Sequence, residues 1–164
     1  MFIEKRSVVL LHGLFASAFF DLVNGRKSKS IFILEGRPAF AGARHAVPML
    51  KKRKITPTLI ADNMAGFLFF KDLVKEVWLA YELIDPQGAL CSTGSLILAV
   101  LARKHHVPVY LYPAGKRTAM MGKQKDIFYF NGIRTAPQNI RGYVPLLEWV
   151  PNKYMMKAYE PARN

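Results

Sequence analysis

Thr58-Leu59-Ile60-Ala61-Asp62-Asn63-Met64-Ala65-Gly66 is the stretch that decides the fold. A short β-branched and aliphatic run leads into an acid, an amide and then a glycine. That is a buried strand ending in a polar turn. The same pattern repeats outward in both directions. Ser7 to Leu11 reads as a first strand and Phe15 to Val23 as a helix, with Ile31 to Leu34 as a second strand. Phe40 to Lys52 is helical in composition, and Pro48 is expected to kink it or end it early. Met64 to Lys75 reads as mostly helix and Glu76 to Tyr81 as a fourth strand. Leu96 to Lys104 is a helix for which Ser95 or Ser92 is the expected cap. Val107 to Leu111 is a fifth strand, and Asp126 to Phe130 is either a sixth or a hairpin arm. Short apolar strands separated by helices predict an α/β fold, doubly wound, with a mainly parallel sheet covered by helices on both faces.

The chain has 164 residues and about half of them are apolar, which is the size and composition of one globular domain over residues 1–164. Residues 1–6 are expected to be a flexible start. The Pro-, Gly- and Asn-rich tail over 131–164 is expected to wrap the sheet. Cys91 is the one cysteine, so no internal disulfide forms and a reducing cytoplasm is the natural setting. No apolar run is long enough to span a bilayer. Lys5-Arg6 ahead of Ser7 to Phe20, with Ala16-Ser17-Ala18 inside that stretch as a candidate cleavage site, has the outline of a signal peptide. His12 and Gly13 interrupt that apolar stretch, and a first strand and helix account for it better.

The formal charge is +13, carried partly in the runs Arg26-Lys27-Ser28-Lys29, Lys51-Lys52-Arg53-Lys54, Arg103-Lys104-His105-His106 and Lys116-Arg117. Such a balance favours anionic partners: nucleic acid, phosphorylated metabolites or acidic proteins. Solvated helix ends and loops explain it equally simply. No nucleic-acid motif accompanies the charge, and the aromatics lie within apolar runs, as core residues do. The four histidines and one cysteine show no metal-ligand spacing, and no cofactor is implied.

Val8-Val9-Leu10-Leu11-His12-Gly13 has the form of the strand and His-Gly turn beside the oxyanion hole of α/β-hydrolases. That chemistry also needs a G-x-S-x-G elbow and a late histidine. The chain has no such pentapeptide, and its last histidine is His106. Serine hydrolysis is therefore not expected.

Four motifs in order resemble one family. Leu34-Glu35-Gly36-Arg37-Pro38 with Gly42-Ala43-Arg44 is similar to its E-T-R-P…Q-G-A-R segment, and Thr58 to Gly66 to its T-L-I-T-D-N-M-A-G segment. Gly94-Ser95, Leu98 to Ala102 and Val107-Pro108-Val109-Tyr110 resemble its G-T…L-A…I-P-F-Y stretch. Gly132-Ile133-Arg134-Thr135-Ala136-Pro137-Gln138-Asn139 resembles its G-V-R-T-A-P-x-N. The family is that of methylthioribose-1-phosphate isomerase and the alpha, beta and delta subunits of translation initiation factor 2B. The resemblance covers about Ser7 to Met156. It implies a Rossmann-like domain, and it implies that full-length members carry a helical N-terminal domain absent from this chain.

The resemblance also implies which residues ought to act, and most have changed. Isomerisation needs an acid and a base on either side of the sugar phosphate. The family's cysteine follows the histidine that ends the first strand, and here Gly13 follows His12. The family's aspartate falls on Tyr81, with Glu82 next to it, and a phenol is a poor base at neutral pH. The Asn-Lys pair before the G-T turn is Cys91-Ser92, and the Gln of Q-G-A-R is Ala41. If activity survives, Asp62, Glu82 and Tyr81 are the candidate acid and base groups. The candidate ligand-binding residues at the carboxyl ends of the strands are Glu35, Arg37, Asp62, Asn63, Ser92, Thr93, Gly94 and Ser95. The turn ending in Gly94-Ser95 opens a helix, and its N–H groups are a candidate anion cradle. It reads equally well as an ordinary helix start. Asp62 has a second reading as the cap of the following helix.

Three functions follow as expectations. The first is a non-catalytic domain of this family that binds a phosphorylated ligand, such as a sugar phosphate or nucleotide, or a protein partner. The second is an aldose-ketose sugar-phosphate isomerase with rewired acid and base residues. The third is a basic nucleic-acid-binding module. Relatives associate through this domain, so a homo-oligomer such as a dimer is expected. Leu146, Leu147, Trp149 and Val150 either form its contact surface or pack on the chain's own sheet.

Overall fold

A computed structural model describes residues 3–24 and 30–158. Its centre is β1 (Val8–His12), every residue of which is buried. On one side lie β2 (Ser30–Leu34) and β3 (Thr58–Ile60), and on the other β4 (Val74–Asp85), β6 (Val109–Pro113) and β10 (Lys157–Ala158). The order β10-β6-β4-β1-β2-β3 is parallel throughout. Chain order runs outward from β1 in one direction and then restarts at β4 in the other. The switch point between β1 and β4 is therefore where a doubly wound sheet opens a ligand crevice.

Alternation of side chains builds two cores. Val8, Leu10, Phe32, Val77, Leu79 and Leu111 face α3 (Ala65–Phe70) and α4 (Ser95–Lys104). Val9, Leu11, Ile33, Trp78 and Tyr112 face α1 (Ser17–Asn24) and α2 (Ala41–Lys52). Helices thus cover both faces, as the strand composition requires.

The long β4 pairs along both of its halves within one eight-stranded sheet. Its first half pairs β1 and β6, and its end turns back at Asp85–Gly88 into the antiparallel β5 (Gly88–Ser92), which pairs β9 (Leu147–Pro151). Neither β5 nor β9 was expected as a strand. Of the two expectations for Asp126 to Phe130, a sixth strand or a hairpin arm, the hairpin arm is found but only over β7 (Tyr129–Phe130), which pairs β8 (Ile133–Arg134), while the residues before it form α5 (Gln124–Phe128). The sixth parallel strand is β10. The tail therefore joins the sheet through β9 and β10.

Three boundaries differ from the local signals. Pro48 lies inside α2, which continues to Lys52. The helix expected to run to Lys75 is a 3-10 turn (Asp62–Met64) and the short α3, and Asp72 with φ 54° precedes β4. The fifth strand starts at Val109. Near the start, Ile3 packs on the core, and the Arg6 guanidinium lies 3.0 Å from the Asp72 carboxylate. Residues 1 and 2, the basic run Arg26-Lys27-Ser28-Lys29 and residues 159–164 lie outside the described residues. Among the described residues no helix is long and apolar enough to cross a membrane.

Candidate functional site at the strand ends

The carboxyl ends of β1, β2 and β5 converge on a small cavity of about 50 Å3. His12, Gly13, Gly36, Arg37, Gly42, Ser92, Thr93 and Thr118 line it, with Leu14 and Leu146. Such a space holds a few waters or one compact oxyanion, not a whole pentose phosphate.

His12 ends β1 and is almost fully buried. Its Nε2 lies 2.9 Å from the Thr93 carbonyl. A carbonyl only accepts, so Nε2 carries the proton and donates. Nδ1 is left buried with no hydrogen-bond partner. Arg37 and Thr118 repeat the theme: Arg37 Nη1 and Thr118 Oγ1 are also buried and unpartnered. The Arg37 guanidinium is held in place by rings, 5.2 Å from the Phe40 centroid and 5.5 Å from that of Phe130. Thr118 is set by its backbone N–H, which donates to Glu82 Oε2 at 2.9 Å. Buried polar atoms ordinarily find partners, so three orphans on one cavity mark a place built for a polar ligand.

The candidate acid and base groups are not assembled there. Asp62 holds the 36–37 turn: its Oδ1 accepts from Gly36 N–H at 2.9 Å and its Oδ2 from Arg37 N–H at 2.8 Å. It makes no side-chain cap to the helix that follows. Glu82 supports the Thr118 loop, and the Tyr81 ring is buried in the α3/α4 core. Asn63 is exposed on its 3-10 turn. Glu35 stands behind the turn. Burial, then the neighbouring Asp62 charge, raise its carboxyl above the usual value, and the Arg37 charge opposes them.

The expected anion cradle at the start of α4 is already filled by the protein. Glu148 of β9 places Oε1 2.8 Å from the Gly94 nitrogen and 2.7 Å from that of Leu96, accepting from both. This carboxylate caps α4, where Ser95 or Ser92 was expected. Neither serine side chain does so, and Gly94 is the cap residue. Ser95 Oγ is buried without a partner and lies outside the cavity lining. Thr93 Oγ1 donates to the Pro145 carbonyl at 2.9 Å. Gly94 cannot readily be another residue: its φ is +102° and an added Cβ would lie 3.2 Å from His12 Nε2. Gly13 is similarly constrained, since at φ +107° an added Cβ would meet Ala80 Cβ at 2.8 Å. Cys91, beside this turn, is fully buried. Burial first, then the Glu148 and Glu82 charges, push its thiol up to about 12, so it is no nucleophile at neutral pH.

Residues 1–158 match the model of the Initiation factor 2 subunit family. The chain belongs to that family. Within it, the chain is 31% identical over 140 residues to the methylthioribose-1-phosphate isomerase of Desulforudis audaxviator, covering 77% of this chain and 40% of that one. The enzyme of the same name from Acetivibrio thermocellus is 32% identical over 143 residues, covering 79% and 41%. The chain thus spans about two fifths of the length of these relatives. Its fold is that of the family's solved structures. It superposes on the delta subunit of translation initiation factor eIF-2B from A. fulgidus with a TM-score of 0.79 at 21% identity, covering 93% of this chain and 51% of the other. The 5-methylthioribose 1-phosphate isomerase of Pyrococcus horikoshii OT3 gives 0.76 at 21% identity, covering 92% and 49%.

Of the expected ligand-binding residues, Arg37, Ser92 and Thr93 line the cavity. Asp62 holds the 36–37 turn and Gly94 packs against His12, while Glu35 is outside the lining. Asn63 and Ser95 stand apart. Sequence reasoning missed Thr118 and Glu148. The only trace of Glu148 in the sequence is a lone carboxylate inside an apolar strand.

Proposed function

We propose that the chain is a non-catalytic domain of the Initiation factor 2 subunit family whose strand-end cavity receives the oxyanion group of a phosphorylated small molecule. The observation that carries this is that His12, Arg37 and Thr118 all line one cavity and each holds a buried polar atom without a partner, Nδ1, Nη1 and Oγ1 respectively. Arg37 and Thr118 supply two donors. His12 Nδ1 accepts from a protonated phosphate oxygen when neutral, or donates when the ring is charged. The cavity admits only the anionic end. An open groove of about 370 Å3 lined by Phe40, Arg44, Lys125 and Tyr129 draws on the same 36–44 stretch of chain as the cavity and is where the body of the ligand would lie. Catalysis is disfavoured because Asp62 and Glu82 are held by backbone N–H groups and Tyr81 is in the core.

The test is thermal shift of wild type and Arg37→Ala at fixed ionic strength, with methylthioribose-1-phosphate, ribose-5-phosphate, AMP and inorganic phosphate. A ligand at a hundred times its Kd adds about 2.7 kcal/mol. At least one phosphate compound is expected to raise the wild-type midpoint and to fail with Arg37→Ala. No shift from any of them would end the reading. The names of the relatives favour a second reading, a sugar-phosphate isomerase with rewired acid and base groups. Turnover of methylthioribose-1-phosphate at an enzyme-like rate, abolished by Asp62→Ala or Glu82→Gln in a folded protein, would establish that reading instead.

A further inference from the structure

The basic runs are scattered along the chain, and the fold gathers them at one end. In a parallel sheet every connecting segment enters its strand at the same edge, opposite the carboxyl ends where ligands ordinarily sit. Residues 5–6 precede β1, 51–54 precede β3, 71–75 lead into β4, 103–106 precede β6 and 153–157 lead into β10. These five segments hold twelve of the chain's 24 lysines and arginines but one of its 11 acidic residues, Asp72. Asp72 is paired with Arg6 at 3.0 Å, and Arg53 with Asp21 of α1. Cations in the last turn of a helix complement its dipole. That accounts for Lys51, Lys52, Arg103 and Lys104. It does not account for Lys5, Lys54 or Lys75, all exposed. Six parallel strands at a spacing of about 4.8 Å spread this charge along roughly 24 Å of edge.

At the β6–β10 end of that edge is an open groove of about 370 Å3, whose lining includes Arg103, His106, Tyr110, Lys153, Tyr154 and Met156. The centroid of the Tyr154 ring lies 5.6 Å from the Arg103 guanidinium and 5.1 Å from the Lys153 ammonium. Arg103 Nη1 also donates to the Lys153 carbonyl at 2.9 Å, which ties the Arg103 side chain to this turn. Met156 is 72% exposed. A flat ring with two cations beside it, in a groove of small-molecule size, takes a base by stacking while neighbouring phosphates meet the charge. From this we infer that the amino edge of the sheet binds single-stranded nucleic acid, the backbone crossing the cationic segments and one base entering the groove at Tyr154. A duplex offers the groove no free base face. An acidic peptide would satisfy the charge but makes no use of the ring. The surface lies at the opposite end of the sheet from the strand-end cavity, so the inference does not depend on what that cavity binds.

The test is fluorescence anisotropy of the 164-residue chain with labelled probes. The probes are oligouridylate and oligothymidylate of about 12 nucleotides, within the span of about 4–16 that one such site covers. A duplex of the same length and inorganic polyphosphate complete the set. Both single strands are expected to bind, and the duplex more weakly. With about four phosphates neutralised, log affinity should fall against log salt with a slope of about −3, or about 50-fold between about 50 and 200 mM. Lys153→Ala, at an exposed position, should make that slope shallower by about 0.7. Tyr154→Leu keeps an apolar side chain and should weaken both single strands about tenfold, leaving the slope and the binding of polyphosphate unchanged. The far-ultraviolet spectrum of each variant should match wild type, and Lys153→Ala tests the site even if Tyr154→Leu does not fold. No binding of either single strand at about 50 mM salt would overturn the inference. So would duplex or polyphosphate bound as tightly as the single strands, or an affinity that a folded Tyr154→Leu leaves unchanged. Those results would describe a general polyanion surface of the kind an acidic protein uses.

Discussion

Replacing Glu148 should both weaken the domain and open a new anion site. Its Oε1 accepts from two N–H groups, those of Gly94 and Leu96, at the start of α4. Hydrogen bonds to a charged group contribute about 1.5–3 kcal/mol each in protein mutants. The half-buried position and relaxation of the first helical turn reduce the sum, and loss of a charged cap from a helix N-terminus alone costs about 1–2 kcal/mol. Glu148→Ala is therefore expected to cost about 3 kcal/mol. For a chain of this length that is a fall in Tm of about 6–12 °C. Glu148→Gln keeps one acceptor oxygen and loses the charge, so its cost is about 1 kcal/mol. The assay is calorimetry of the three proteins in chloride and in sulfate or phosphate at matched ionic strength. The N–H groups freed in Glu148→Ala form an anion site, so sulfate should raise its Tm more than that of wild type. At a hundred times the Kd, the gain of about 2.7 kcal/mol recovers most of the loss. If Glu148→Ala melts with wild type, or responds to sulfate no more than wild type does, the assignment of Glu148 as the resident anion of this cradle is wrong.

Two further outcomes can be checked directly. Cys91, with its thiol pushed up to about 12, should resist iodoacetamide in the native protein at pH 8 and react fully in denaturant. Rapid native labelling would show that β5 opens. Glu35 has a raised carboxyl value in the folded state, so its charge costs stability above that value and the cost disappears as pH falls below the ordinary carboxyl range. Glu35→Gln should therefore raise Tm at pH 7 and make no difference near pH 4. An effect that grows towards acid would reverse the sign and refute it.

The parallel half of the fold was legible because it is written locally. Val8 to Leu11, Ile31 to Leu34 and Thr58 to Ile60 are short apolar runs with a helix or turn signal after each, and all three are strands. The antiparallel half was not. Gly88 to Ser92 begins with glycine and ends with cysteine and serine, and it is a strand because the end of β4 and β9 lie on either side of it. Tertiary pairing, not propensity, decides such segments. The site divides in the same way. Arg37 follows a strand, and Ser92 and Thr93 belong to a turn before a helix, that the sequence marks. Thr118 reaches the cavity from the loop after β6, held by Glu82 from 36 residues away. Glu148 caps a helix that begins 53 residues before it in the chain. No local window contains either partnership, and so a serine beside Gly94 was the obvious cap to expect.

The distance between α4 and Glu148 also bears on synthesis. A chain leaving the ribosome emerges from its N-terminus at a finite rate, and its early segments begin to fold before later ones exist. When the last residue of β6 has emerged, five of the six parallel strands are available, yet α4 still has two N–H groups with no carboxylate and β5 has one bare edge. Both are completed together when residues 147–151 arrive. Until then β5 presents an open strand edge, a feature prone to pairing with a neighbouring chain, beside a helix start that lacks its carboxylate. The arrival of β9 thus completes β5 and α4 in one step, and the interval before it is translated is when this part of the sheet most needs protection.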